Sequence, residues 1–411
     1  MNIGIIGCGF VGLANATLLA HGNNVFLWDI SQDKLKMIEN NSIPFDDRSI
    51  IKEWNSKKYN FNICDSKIDL INNSKIIILA LPTDLDRYTN KLNSDSIEEI
   101  ICEILKIRRD IIIIIKSTVS VGFTKKMKDK FDYDDIFYMP EFLREGMAYT
   151  DIINPDRMVI GGNYFKSKKV LHLYESAIFL VRGNKKINSI ILTSSEAESV
   201  KLFSNTYLAM RVAFFNEIDT FAEKNNLDSK SIIYGICQDN RIGNYYNNPS
   251  FGYDGYCLPK DVIQAANLLE DYGILISAIN NSNENRKKYI GNILSNLNGD
   301  IGIYRLNTKK DLENIRHSVM GDICQKIVGK EKKIYIYEPL ISEISEENII
   351  FVNSVHELSQ KSEIIVSNII SEELLPYMHK VYTRDQKYHY DKAEILHGDN
   401  NEKKNNSFIL K

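Results

Sequence analysis

The residues best suited to covalent chemistry lie together in Phe251-Gly252-Tyr253-Asp254-Gly255-Tyr256-Cys257-Leu258-Pro259-Lys260-Asp261. A cation beside a cysteine favours the thiolate, the form that attacks carbon. Lys260 and Asp261 follow Cys257 closely enough to matter, and the glycines let backbone approach a ligand. A second signature opens the chain, Gly7-Cys8-Gly9-Phe10-Val11-Gly12. In such a turn the first glycine permits the reversal, the second admits a pyrophosphate to the backbone, and the third lets helix pack on strand. Asp29 ends the next apolar run. A carboxylate there accepts hydrogen bonds from an adenosine ribose and repels a 2′-phosphate, which favours NAD over NADP. Lys34 lies nearby as a further cofactor candidate. A dinucleotide site plus an activated thiol points to oxidation through a covalent intermediate.

Other candidates follow later apolar runs. Thr83 and Thr118 close Leu81-Pro82-Thr83 and Lys116-Ser117-Thr118, where strand ends of α/β sheets bind ligands. As isolated features they are helix caps or turn residues. Glu141-Phe142-Leu143-Arg144-Glu145-Gly146 places carboxylates around an arginine, which elsewhere reads as an exposed ion pair worth little. Lys201 and Asn205, at i and i+4 of a helix, share one face and can hold an oxyanion or orient a hydroxyl. Arg241, Tyr246, Asn248 and Ser250 precede the Cys257 loop and suit a sugar nucleotide. In the last third, Arg305, Lys309 and Arg316 are phosphate candidates, with plain surface charge as the rival.

Strands alternating with helices must position these groups. Asn2–Ile6, Asn24–Trp28, Lys75–Leu81, Asp110–Lys116, Ile136–Tyr138 and Met158–Ile160 read as strands, with the first helix from about Val11 to Ala20. This alternation predicts a mostly parallel, doubly wound sheet. Ser195-Glu196-Ala197-Glu198 has capping-box form, and from there to about Lys224 no proline or glycine interrupts a helical period. One helix of roughly 30 residues, about 45 Å long, is expected, long enough to bridge two domains. Leu208, Met210, Val212, Phe214 and Phe215 give it surplus apolar surface for another subunit. Strands return at Asp300–Arg305, Lys333–Tyr337, Ile349–Val352 and Glu363–Ser367, so the fold expected is α/β, two Rossmann-like domains joined by a long central helix. The boundaries expected are 1–193 for the cofactor domain, 194–290 for a helical part with the catalytic loop, 291–396 for a second α/β domain and 397–411 for a tail.

With a length of 411 residues, several domains are expected. A net charge of −3 gives no global attraction to nucleic acid or acidic membrane. The most apolar run, Ile111 to Ile115, is far short of the roughly 20 residues of a membrane helix. Six cysteines without paired spacing argue against a disulfide scaffold or a zinc site and for a reducing cytoplasm. The N-terminus has no leader-like charge and cleavage pattern.

Taken in order, the Gly7-to-Gly12 turn, Lys116-Ser117-Thr118, Glu141-to-Gly146, Lys201-to-Asn205, Arg241-Ile242-Gly243 and Gly255-to-Asp261 resemble the UDP-glucose/GDP-mannose dehydrogenase family over about residues 1 to 370. Short bacterial members that make UDP-glucuronate for capsular polysaccharide are the most similar. The resemblance implies oxidation of a primary alcohol to a carboxylate, with two hydrides passed to two NAD in turn. It implies that Cys257 forms a thiohemiacetal and then a thioester, and that Lys201 and Asn205 stabilise developing negative charge. Asp261, with Lys201 and a water, would accept the proton. Glu145, with Thr118 holding water, would promote thioester hydrolysis. Glu141, Phe142, Leu143, Arg144 and Glu145 would bind substrate. So would Tyr246, Asn248, Ser250, Phe251, Gly252, Tyr253 and Gly255, with Arg241 reaching a neighbouring subunit. Gly7, Gly9, Val11, Gly12, Asp29, Lys34, Thr83, Thr118, Glu145, Lys260 and Arg316 would meet the cofactor, and Arg305 and Lys309 the nucleotide. UDP-glucose is the implied substrate and a homodimer the implied assembly, with no nucleic-acid or membrane partner and no metal. Asp254 departs from the family pattern, which has glycine there, and is expected to turn outward. Three rivals stay open: a GDP-mannose or UDP-N-acetylhexosamine 6-dehydrogenase, a single-step β-hydroxyacid dehydrogenase, and a binding protein that keeps the fold without the chemistry.

Overall fold

The computed structural model describes residues 1–86, 92–183, 186–255, 257–306, 318–327, 332–339 and 348–386. Lys309 and Arg316 lie outside them. The chain forms two compact units, one of Met1–Tyr207 with Lys260–Ile276, the other of Leu208–Pro259 with Ser277–Lys411.

The first unit contains β1 (Asn2–Ile6), α1 (Phe10–Leu19), β2 (Asn24–Trp28), α2 (Gln32–Glu39), α3 (Arg48–Ser56), β3 (Asn62–Ile63), α4 (Lys67–Asn73) and β4 (Ile76–Leu79). It continues with α5 (Asp95–Ile107), β5 (Ile112–Ile115), α6 (Phe123–Phe131), β6 (Ile136–Tyr138), α7 (Ala148–Ile153), β7 (Arg157–Gly161), α8 (Tyr164–Arg182) and β8 (Asn188–Leu192). Its eight strands are ordered β3-β2-β1-β4-β5-β6-β7-β8, parallel except where β6 meets β7 through Tyr138 and Gly161. The isoleucine runs are continuous because both faces are covered. Ile76, Ile78 and Ile114 pack with Leu13, Ile50 and Tyr174 on one face, while Ile77, Leu79, Ile113 and Ile115 pack with Leu70, Ile97, Met127 and Ala197 on the other. The order reverses between β1 and β4, and ligands of open α/β sheets bind beyond the strand ends at that place.

A single helix, α9 (Ser194–Lys224), runs from the first unit into the second. Its capping box lies two residues earlier than the sequence pattern suggests. Thr193 N–H donates to Glu196 Oε2 at 2.8 Å and Glu196 N–H to Thr193 Oγ1 at 3.4 Å, which leaves Glu198 for a different task.

The remaining elements are α10 (Ser229–Cys237), α11 (Cys257–Leu269), α12 (Ile274–Asn296), β9 (Ile301–Tyr304), α13 (Val319–Ile327), β10 (Ile334–Tyr337), β11 (Ile349–Phe351), α14 (Val355–Lys361), β12 (Ile364–Val366) and β13 (Val381–Tyr382). The second sheet is wholly parallel, ordered β11-β10-β9-β12-β13, so each unit reads 3-2-1-4-5 from its own first strand. Ile290, Leu294 and Ile323 cover one face, and Leu358 and Leu374 the other. Among the described residues no helix is long and apolar enough to cross a membrane.

Candidate active site

The glycine turn between β1 and α1 has the geometry a dinucleotide needs. Gly7 has φ +98°, and a Cβ there would lie 2.3 Å from the Ala80 carbonyl oxygen. At Gly12 a Cβ would lie 1.8 Å from the Gly7 carbonyl oxygen, so the helix packs against its own turn only without a side chain. Around Gly9 a Cβ would meet nothing within 4 Å, which is the open approach a diphosphate requires. Gly9 is also the N-cap of α1 and supplies no side-chain cap, so first-turn N–H groups remain for an anion. Asp29 Oδ2 accepts from Cys8 N–H at 2.7 Å and Oδ1 from Ser31 N–H at 2.8 Å, which fixes the carboxylate at the ribose position. Burial, then Asp29, pushes the Cys8 thiol well up, with Lys34 opposing, so Cys8 is an inert packing residue. Lys34 is half-buried on the first turn of α2. Thr83 is buried, and Lys260 Nζ donates to its carbonyl oxygen at 3.0 Å.

The face of α9 that carries Lys201 and Asn205 gathers the loops beyond β5 and β6. Lys201 Nζ donates to the Glu141 carbonyl at 2.6 Å and lies 5.4 Å from the centre of the Phe142 ring, over which Arg157 also stacks at 4.3 Å. Asn205 Nδ2 donates to Asp261 Oδ2 at 2.6 Å. Asp261 is fully buried and its Oδ1 has no partner among the described residues. Burial raises its proton affinity, with Lys260, Lys201 and the Asn205 hydrogen bond opposing. Beneath them Tyr138 ends β6 fully buried, its hydroxyl without a partner among the described residues and its titration driven far up by burial and by Glu198, Asp261 and Glu141. Thr118 and Glu145 are half-buried.

Glu141 behaves differently from a ligand-binding carboxylate. Its Oε1 pairs with Lys116 Nζ and accepts from Asn15 Nδ2 at 3.0 Å, while Tyr174 OH donates to Asn15 Oδ1 at 2.7 Å. Burial lowers the Lys116 titration, opposed by Glu141. The side chain anchors the segment, and its carbonyl is what reaches the helix face. Arg144 is exposed and forks onto Asp151, with Nε–Oδ2 at 3.0 Å and Nη2–Oδ1 at 2.6 Å. Leu143 packs on the core, and Gly146 turns with φ +82°. The segment is then fixed by Asp47, whose Oδ1 caps α3 through Ser49 N–H and Ile50 N–H and whose Oδ2 accepts from Ala148 N–H at 2.8 Å.

In the second unit the loop before Cys257 is tied down through its backbone. Ser250 N–H donates to Asn216 Oδ1 at 2.8 Å and its carbonyl accepts from Arg286 Nε at 3.0 Å. Phe251 N–H donates to Asn368 Oδ1 at 2.8 Å. Tyr253 N–H donates to Asn283 Oδ1 at 2.8 Å, and Asn283 Nδ2 returns a bond to the Tyr253 carbonyl at 3.0 Å. Arg286 in turn pairs with fully buried Asp219 at 2.6 Å, as Arg384 does at 2.5 Å. Burial pushes the Asp219 carboxyl up, but Arg384 and Arg286 outweigh it and hold it below the usual range. Phe251 is entirely buried against Tyr382, Tyr253 is buried, and Asn248 spends its amide on Asp385 and on Gln386 N–H. The side chains of Phe251, Tyr253 and Asn248 thus support the loop from within the second unit. Gly252 and Gly255 have φ of +150° and +84°. Tyr246 is exposed with φ +49°, and Arg241 is exposed and paired with Asp239 at 2.6 Å. Arg305 follows β9 with φ +62° and lies 3.6 Å from Glu373. Cys257 begins α11, half-buried and free, and Asp254 is half-buried.

The profile of the UDP-glucose/GDP-mannose dehydrogenase family, NAD binding domain, matches residues 1–178, and that of the family's central domain matches residues 195–285. A UDP-glucose 6-dehydrogenase of Campylobacter jejuni is 42% identical over 94% of this chain and 99% of its own length. One from Streptococcus pneumoniae is 39% identical with the same coverage of both. The chain belongs to the UDP-glucose/GDP-mannose dehydrogenase family. The fold agrees: the structure of a UDP-glucose dehydrogenase from Pyrobaculum islandicum superposes with TM-score 0.81 at 20% identity, covering 93% of this chain and 94% of that one. A UDP-D-ManNAc dehydrogenase from Pyrococcus horikoshii gives TM-score 0.74 at 22% identity, covering 93% and 99%. The protein is therefore an NAD-dependent oxidoreductase.

This dehydrogenase also uses residues that sequence reasoning passed over. Asn15, Asp47, Lys116, Tyr138, Glu198, Asn216, Asp219, Asn283, Arg286 and Asn368 hold the site segments from distant positions. Lys116 lies beside Thr118 and Glu198 within the capping-box pattern, yet neither pattern announces the partner found here, and the others stand in no motif. The only signal was composition, since aspartate, asparagine and arginine within apolar helical stretches demand partners.

Proposed function

We propose that this dehydrogenase oxidises UDP-glucose to UDP-glucuronate, removing four electrons through a covalent adduct on Cys257. The observation that carries the reading is similarity, at 42% and 39% identity over 94% of the chain, to two bacterial UDP-glucose 6-dehydrogenases. Bound NAD accepts the hydride in each oxidation. In the first, Asp261 takes the hydroxyl proton directly or through water; its raised proton affinity and unpartnered Oδ1 suit that role. Lys201 and Asn205 stabilise the alkoxide-like oxygen. The Cys257 thiolate then adds to the aldehyde carbon, and the thiohemiacetal loses its second hydride to become a thioester. Water held by Thr118 and steered by Glu145 forms the new C–O bond as the C–S bond breaks and Cys257 leaves. In sum, a primary alcohol and one water give a carboxylate, two hydrides and three protons.

Glu141–Glu145 and the loop through Gly255 are each assigned to the sugar, Lys260 and Thr83 to the cofactor, and Arg305 to the nucleotide. Residues 1–193, 194–290 and 291–396 divide the work between cofactor, catalytic loop and nucleotide sugar. Phe214 and Phe221, 51% and 55% exposed and seven residues apart on α9, support a homodimer through that helix. Six free cysteines fit a cytoplasmic setting and precursor supply for a polysaccharide. NADH release with UDP-glucose, GDP-mannose and a UDP-N-acetylhexosamine tests the substrate. UDP-glucose is expected to give the highest kcat/KM, and preference for either of the others overturns the assignment.

A further inference from the structure

Glu198 has no role in the reaction as set out above, yet it occupies the same face of α9 as Lys201 and Asn205, at spacings of three and seven residues. It is 1% exposed. Its Oε2 accepts from Gly122 N–H at 2.6 Å and its Oε1 from Thr124 N–H at 2.9 Å. Gly122 is the N-cap of α6, has φ +91° and offers no side chain. Elsewhere in the chain Ser31, Asp47, Ser66, Asn163, Asp228 and Ser354 cap the helices they precede. At α6 the capping oxygens come instead from a carboxylate on another helix, which also answers the positive end of the α6 dipole.

This arrangement ties the segment Lys116–Gly122, and Thr118 within it, to the helix that holds the Glu141 carbonyl through Lys201 and Asp261 through Asn205. A local serine or aspartate would cap α6 equally well but would leave Thr118 unreferenced to that helix. We propose that Glu198 is a positioning residue for thioester hydrolysis, setting Thr118 against Lys201 and Asn205. This rests on the hydrolytic role given to Thr118 above. In that step the water oxygen bonds to the thioester carbon, the C–S bond breaks, Cys257 departs as thiolate, and two protons leave, one through Glu145 to solvent and one as the uronic acid ionises.

The test uses the full-length Glu198→Ala and Glu198→Gln variants. Misplacement by a fraction of an ångström is expected to slow hydrolysis by about tenfold or more, while hydride transfer continues. Glu198→Ala should release a burst of two NADH per active site and then turn over slowly. KM for UDP-glucose should stay within about twofold, and intact mass spectrometry should show Cys257 carrying the uronyl adduct. Glu198→Gln, isosteric and able to accept only one of the two N–H bonds, should fall between. Should the alanine variant fail to fold, the glutamine variant reads out the same burst and adduct. Wild-type steady-state turnover in both variants, or a loss of burst and turnover in equal proportion without adduct, overturns the inference. A wild-type protein that releases one NADH per substrate instead overturns the reading of the site beneath it.

Discussion

Asp261 is fully enclosed with one oxygen unpartnered among the described residues, so the fold disfavours the charged form of its carboxyl. The sign follows from linkage. The folded carboxyl holds its proton more tightly than the unfolded one, whose pKa is about 3.9. It therefore stabilises below that value and loses the contribution as pH rises through the folded value. Asp261→Asn should melt above wild type at pH 7, the difference should close as pH falls toward 4, and turnover should be lost. Melting below wild type at pH 7 contradicts this account of Asp261. Tyr138 gives a second case. A buried hydroxyl without a partner costs about 1–3 kcal/mol, so Tyr138→Phe should hold or raise the melting temperature, and a fall would show a bond that the hydroxyl makes. At this scale the sequence was informative where chemistry is local. Gly7, Gly9, Gly12 and Asp29 could be read because turn and strand end lie within one βαβ unit. Glu198, Lys116 and Asp47 could not, because Gly122, Glu141 and Ala148 approach them only once the sheet has formed.

Among the elements, long apolar periods were easy to read. The isoleucine strands and the uninterrupted length of α9, though not its cap, follow from their patterns alone. β3, β8 and β13 did not stand out, since β3 and β13 have two residues each and β8 begins with Asn188 and Ser189. The helix start was misplaced by two residues because Ser195 and Thr193 each precede a glutamate at capping-box spacing, and only geometry chooses between them. The packing of Phe251 and the hydrogen bonds of Asn248 are not legible beside Cys257, because Tyr382, Asp385 and Gln386 approach them only in the folded unit. Phe251→Ala should accordingly cost about 3–5 kcal/mol in denaturant unfolding, as for other buried aromatic truncations. A loss below about 1 kcal/mol would place Phe251 outside the core. Arg286→Met leaves Asp219 buried with one cation fewer and should destabilise the second unit while raising KM for the nucleotide sugar, since the Ser250 carbonyl loses its donor. An unchanged KM would mean that Ser250 does not set the binding loop.

For the whole molecule, two sheets that share a 3-2-1-4-5 order, a family-wide NAD domain and one helix common to both units describe a dehydrogenase. Assembly is open to direct measurement. On the proposed homodimer, Phe214→Lys with Phe221→Lys on α9 should shift the mass by light scattering from two chains to one, and a wild-type protein of one chain, or a dimer that persists in the variant, overturns that interface. The central claim is that one chain performs two successive oxidations through Cys257. The most direct measurement is the number of NADH released per UDP-glucose consumed to completion, in wild type and in Cys257→Ser. Wild type should give two NADH and UDP-glucuronate, and the variant no sustained turnover. One NADH per substrate, or undiminished turnover without the thiol, would contradict it.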